Sequence, residues 1–76
     1  MKRLVKAVPG PKHSVIYTDQ DGLRFHFLGG SRPWRNQNPG NWVPGKISKR
    51  NGAIGVAGGF AVFPDPEIGH TALLIL

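Results

Sequence analysis

Val15-Ile16-Tyr17-Thr18-Asp19-Gln20-Asp21-Gly22-Leu23-Arg24-Phe25-His26-Phe27 reads as a β-hairpin. A β-branched and aromatic run leads into a four-residue turn, and the run that returns alternates apolar and polar residues with period two. Alternation sends Leu23, Phe25 and Phe27 to one face, the core side, and Arg24 and His26 to the other. The acidic turn is an ordinary turn and not a calcium loop, since it lacks the ligand count and the distal glutamate.

Working outward towards the C-terminus, Ala53-Ile54-Gly55-Val56, a turn at Ala57-Gly58-Gly59 and Phe60-Ala61-Val62-Phe63 read as a second hairpin. Its glycines do not lead into a helix and carry no Gly-Lys-Ser/Thr ending, so they suit strand packing better than a phosphate loop. One helix is expected from Asp65 onward. Asp65 is placed as its N-cap, Pro66 as its first residue and Glu67 where the helix dipole favours an acid. Ile68, Ala72 and Ile75 then face the sheet. Lys46-Ile47-Ser48-Lys49-Arg50-Asn51-Gly52 reads as a basic loop. Residues 1–13, interrupted by Pro9 and Pro11, read as a flexible basic arm or at most a short edge strand. The expected fold is α+β: a small antiparallel sheet of two β-hairpins with one C-terminal helix, rich in loops, over residues 14–76. Its expected core is Ile16, Leu23, Phe25, Phe27, Ile54, Val56, Phe60, Val62, Ile68, Ala72 and Ile75.

Seventy-six residues make one small domain, which buries only about 60% of the surface its unfolded chain exposes. No cysteine is available for a disulfide or thiolate metal site. Eleven Gly and seven Pro supply many turns, while interleaved Phe, Trp, Val and Ile argue for a folded chain. No stretch reaches the roughly 20 apolar residues of a membrane span. Lys6, Pro9 and Gly10 interrupt any signal-peptide core, so the chain is expected to be cytoplasmic as synthesised, with export by a phage or secretion route left open. The net charge is +6, and no acidic residue falls between Gly22 and Pro64. Such a surface suits anionic partners such as nucleic acid, lipid or glycan, or serves solubility alone.

Trp34-Arg35-Asn36-Gln37-Asn38-Pro39-Gly40-Asn41-Trp42 is a polar stretch between the only two tryptophans. Asn38-Pro39-Gly40-Asn41 is a tight turn, with φ preset at Pro39 and Gly40 free to take φ > 0. Amides beside indole faces suit sugars, which makes Trp34, Asn36, Asn38, Asn41 and Trp42 the candidate ligand-binding set. In so small a chain, core or lid positions suit the two tryptophans better than exposed ligand platforms do. Arg32, Arg35, Lys46, Lys49 and Arg50 form the candidate anion-binding set, for which nucleic acid is the alternative partner.

The order Arg35-Asn36-Gln37-Asn38-Pro39-Gly40-Asn41, Gly52-Ala53-Ile54-Gly55, Gly59-Phe60-Ala61-Val62-Phe63-Pro64-Asp65, then Gly69 with Ala72-Leu73 resembles a module of phage, prophage and secreted bacterial proteins. A related branch with the same Asn-Pro-Gly-Asn turn looks like lysozyme-type lytic enzymes. The resemblance covers roughly residues 32–76 and implies a link to peptidoglycan. In the lytic branch a catalytic acid precedes the turn, whereas residues 22–41 here hold neither Asp nor Glu. The helical continuation of that branch is also missing, and the chain reads as C-terminally truncated. Cleavage of a glycosidic bond ordinarily needs two flanking carboxylates. The expectation is therefore a non-catalytic or degenerate cell-wall glycan-binding module, with residual lytic activity as a further alternative and no catalytic residue assigned.

His13, His26 and His70 are scattered and no nucleophile motif surrounds any hydroxyl, so neither a metal nor a cofactor is expected. The closing run Leu73-Leu74-Ile75-Leu76 covers every side of a helix and cannot be buried by one face. A homodimer through the C-terminal helix is the expected remedy.

Overall fold

The computed structural model describes residues 3–75. The chain forms an α+β domain. Its strands are β1 (Leu4–Gly10), β2 (Ser14–Asp19), β3 (Arg24–Leu28), β4 (Gly55–Ala57) and β5 (Phe60–Val62), and its helices are α1 (Arg32–Asn36), α2 (Lys46–Arg50) and α3 (Pro66–Leu73). The strands make one five-stranded sheet in the order β3-β2-β1-β4-β5. Both expected hairpins are present, β2 with β3 and β4 with β5.

Between the two hairpins lies β1, the segment expected to be an arm. It pairs antiparallel with β2 over most of its length and parallel with β4 at Ala7 opposite Gly55, so the sheet is mixed and β1 is its central strand. Two features hide this strand from a reading by alternation. A bulge between Leu4 and Lys6 lets Leu4 and Ala7 both reach the core although they are three residues apart. Pro9 lies beyond the single residue at which β1 meets β4, where a strand has a neighbour on one side only and proline is tolerated. At the β1–β4 contact a side chain on Gly55 would put its Cβ 2.0 Å from the Ala7 carbonyl oxygen, so only glycine lets the two strands approach.

One core cluster gathers Leu4, Ala7, Val15, Tyr17, Ala57 and Val62, with Phe25, Phe27 and Ile54 packed against it. A second gathers Ala61, Phe63 and Ala72, flanked by Trp42, Ala53 and Ile68. Of the expected core, Val62 and Ala72 are buried and Ile16, Phe25, Phe27, Ile54, Phe60 and Ile68 half-buried. Leu23 (61% exposed), Val56 and Ile75 are at the surface. Leu23 falls just before β3, so the alternation that places Phe25 and Phe27 inward does not extend to it.

Asp65 caps α3 as expected, its Oδ1 accepting from the Ile68 N–H at 2.8 Å. Ile68 and Ala72 of α3 pack with Ala61 of β5 and with Phe63, as expected. Gly69 seats the helix against Gln37 and Pro39, and Ala72 joins the cluster at the β5 side of the sheet. Ile75 lies beyond the last helical turn, and it and Leu74 are exposed; Leu76 lies outside the described residues. No helix is long and apolar enough to cross a membrane among the described residues.

Candidate functional site

Two short helices occupy segments that read as connections. Ser31 caps α1, accepting from the Trp34 N–H, and Pro33 sits in the first turn. Gln37 closes α1 in the left-handed conformation, φ 51°. In α2 the N-cap is Gly45, which brings no side chain to the cap; Ser48 Oγ donates to its carbonyl at 3.1 Å. Each helix has five residues, less than two turns, which leaves too little periodicity to read.

The amides of residues 36–38 point inward and complete the edge of the sheet. In β5 and just after it, the backbone groups of Ala61 and Phe63 face away from β4 and would stand open. Ala61 N–H donates to the Trp42 carbonyl at 2.9 Å and Phe63 N–H to the Asn36 carbonyl at 2.9 Å. The Ala61 carbonyl accepts from Asn36 Nδ2 at 3.2 Å and from Asn38 Nδ2 at 2.9 Å. The Phe63 carbonyl accepts from Gln37 Nε2 at 3.1 Å. Asn38 is bonded at both ends of its amide, its Oδ1 accepting from Trp42 N–H at 2.9 Å. Three side-chain amides and the backbone carbonyls of Asn36 and Trp42 thus do together what a sixth strand would do, and an exposed, aggregation-prone edge is closed.

This corrects the expected ligand-binding set. Asn36 and Asn38 are each 1% exposed, and the amide nitrogen of each is spent on backbone carbonyls. Trp42 is half-buried, and its indole Nε1–H donates to the Ala72 carbonyl at 3.0 Å. The turn closes through Asn41 N–H to the Asn38 carbonyl, but the positive φ falls on Asn41 (51°) and not on Gly40. Asn41 is exposed. Trp34 is different: it is 52% exposed, held with its ring stacked on Phe27 at 5.1 Å between centroids. It forms one wall of a groove of about 280 Å³ completed by Pro33, Gln37, Pro39 and Pro66.

Beneath Trp34, Tyr17 anchors α1 to the sheet. The phenol is fully buried, its hydroxyl donates to the Arg35 carbonyl, and its ring lies 4.8 Å from Phe27. Burial pushes the Tyr17 hydroxyl well above its ordinary value of 10.0, a hydrogen bond with Gln37 opposing this in part. A phenol whose folded pKa is raised favours the fold in its protonated form. Its contribution is intact below pH 10 and is lost as the pH climbs from there towards the folded value. Stability is therefore expected to fall above pH 10 in urea titrations of the wild type. Tyr17→Phe should remove most of that slope, while lowering stability at pH 7 by about 1 kcal/mol for the lost hydrogen bond.

The expected anion-binding set divides in two. Lys46, Lys49 and Arg50 project from α2 into solvent. Arg32 and Arg35 belong to α1 and are half-buried. The Arg32 guanidinium carbon stands 3.7 Å above the Phe60 ring, and Arg35 Nη1 donates to the Gly29 and Gly30 carbonyls. The carboxylates lie elsewhere: Asp19 and Asp21 in the β2–β3 turn, Asp65 at the cap of α3 and Glu67 in its first turn. None of them lines the Trp34 groove. Among the described residues no three His, Cys, Asp or Glu side chains come together to hold a metal.

Comparison with protein-family models, with curated proteins and with solved structures finds no match for the chain.

Proposed function

We propose that the chain is a non-catalytic glycan-binding module whose platform is the Trp34 groove, with cell-wall glycan as the class of ligand. The observation that carries this reading is a large, half-exposed indole clamped on Phe27 and bordered by three prolines. A rigid aromatic and proline wall presents apolar surface to the C–H faces of a pyranose at little entropic cost, as pre-organised binding sites do. None of the four carboxylate residues is part of the groove lining, which supports binding without cleavage. The resemblance of residues 32–76 to a module of phage, prophage and secreted bacterial proteins, which implies a link to peptidoglycan, points the same way.

Retention on purified sacculi at moderate salt tests the proposal. The wild type should be retained beyond a basic control protein of equal size. Trp34→Ala should lose retention by roughly thirtyfold, the effect of about 2 kcal/mol expected for a central aromatic anchor, while its sheet remains folded.

A second reading, polyanion binding, is favoured by one observation: Lys46, Lys49 and Arg50 are exposed together on α2. That reading predicts retention that falls steeply with salt and survives Trp34→Ala. Equal retention of wild type and Trp34→Ala would decide for it and against the groove.

A further inference from the structure

A separate cleft lies on the other flank of α1, between the turn joining β1 to β2 and the turn joining β4 to β5. It holds about 180 Å³, and Gly10, His13, Ser14, Arg32, Arg35 and Gly58 are among the residues that line it. Neither guanidinium here is free to swing away. Arg32 is stacked on Phe60, and Arg35 is tied through Nη1 to two carbonyls of the loop before α1. Neither has a carboxylate partner among the described residues. Arg32 Nε is buried and has no hydrogen-bond partner. That buried nitrogen is out of reach of the cleft, but Arg32 and Arg35 still bring two like charges to the lining of one partly enclosed space, where they repel each other. An anion in the cleft removes that cost.

We propose that this cleft is a binding site for one compact oxyanion, a carboxylate or phosphate group, held by Arg32 and Arg35 with His13 lining the cleft beside them. The planar fork of arginine matches such a group in a way an ammonium does not. The cleft holds about 180 Å³, the volume of about six water molecules at roughly 30 Å³ each, enough for one such group. The site is independent of the Trp34 groove and stands whether or not that groove binds glycan.

The test is an NMR titration of the ¹⁵N-labelled full chain that follows the arginine Nε–H signals and backbone amides, at constant ionic strength set with chloride. Inorganic phosphate and acetate are titrated separately. The Arg32 Nε–H and the Ser14 and Gly58 amides should shift and saturate with at least one of the two, and the anion that saturates at lower concentration names the source. Lys46 and Lys49 amides should not follow. Arg35→Gln should weaken binding at least tenfold. Because that change also removes bonds to Gly29 and Gly30, Arg32→Lys serves as a second variant. It keeps the charge and loses the fork, and should weaken binding about tenfold with the spectrum otherwise preserved. Shifts that rise linearly without saturation for both anions, or Arg32→Lys binding as tightly as the wild type, would overturn the proposal.

Discussion

Replacing Asn38 by alanine is expected to bring the domain close to unfolding. The change deletes three hydrogen bonds of 2.9 Å, two from Nδ2 to the Trp42 and Ala61 carbonyls and one into Oδ1 from the Trp42 N–H. The Ala61 carbonyl keeps Asn36 as a donor and the Trp42 carbonyl keeps the Ala61 N–H. The Trp42 N–H is left with no acceptor. Three lost bonds at about 1 kcal/mol each, plus about 1–3 kcal/mol for one orphaned donor, suggest a loss of roughly 4 kcal/mol or more. A 76-residue domain holds only roughly 4–11 kcal/mol in all. The urea midpoint should collapse. Asn41→Gly is the control: Asn41 is exposed and already at φ 51°, a conformation glycine adopts freely, so its midpoint should barely move. If Asn38 were instead a ligand-facing amide, Asn38→Ala would leave stability untouched and change only binding.

Gly69→Ala should be as damaging, and against the local preference. Within a helix, alanine is favoured over glycine by about 1 kcal/mol, so a reading of α3 alone expects stabilisation. Here the new Cβ would stand 1.9 Å from the Gln37 carbonyl oxygen and 3.2 Å from Pro39 Cδ. Both the helix and the carbonyl are backbone, and neither can rotate away. To relieve the overlap α3 must withdraw from residues 37–39, which pulls Ala72 from its cluster and breaks the bond from Trp42 Nε1. A loss of about 3 kcal/mol or more is expected, in line with severe overpacking. The Trp42 indole N–H resonance should move towards its solvent-exposed position. His70→Ala, at an exposed position one residue on, should change stability by only a few tenths of a kcal/mol. Unchanged stability in Gly69→Ala would mean that α3 is not seated on residues 37–39.

These two residues mark where the sequence can be read and where it cannot. The β2–β3 hairpin was legible because alternation in Arg24-Phe25-His26-Phe27 and the intervening turn are local signals. The start of α3 was legible because Asp65, Pro66 and Glu67 act within one turn. β1 was hidden by its bulge and by Pro9, and its place in the middle of the sheet depends on strands far away in sequence. The amides were misread for a chemical reason. A side chain that can bond a sugar can equally bond a strand edge, and nothing in Asn36-Gln37-Asn38 itself distinguishes the two. One signal was available. A second hairpin packed on one side only leaves the outer backbone groups of its last strand to be satisfied, and a run of three amides is a candidate partner. Arg32 and Arg35 belonged to the expected anion-binding set. What their sequence positions did not reveal is that α1 turns them to one cleft, apart from Lys46, Lys49 and Arg50.

On the proposed reading, ligand recognition belongs to the Trp34 groove, while the neighbouring amides and Trp42 are structural. The two indole N–H resonances separate these roles in one experiment, a titration of the ¹⁵N-labelled chain with soluble peptidoglycan fragments. The Trp34 resonance should shift and saturate, with Trp42, tied to the Ala72 carbonyl, staying where it is. A Trp34 resonance that never moves, while amides of residues 46–50 shift and return on addition of salt, would place recognition on α2 and rule out the groove.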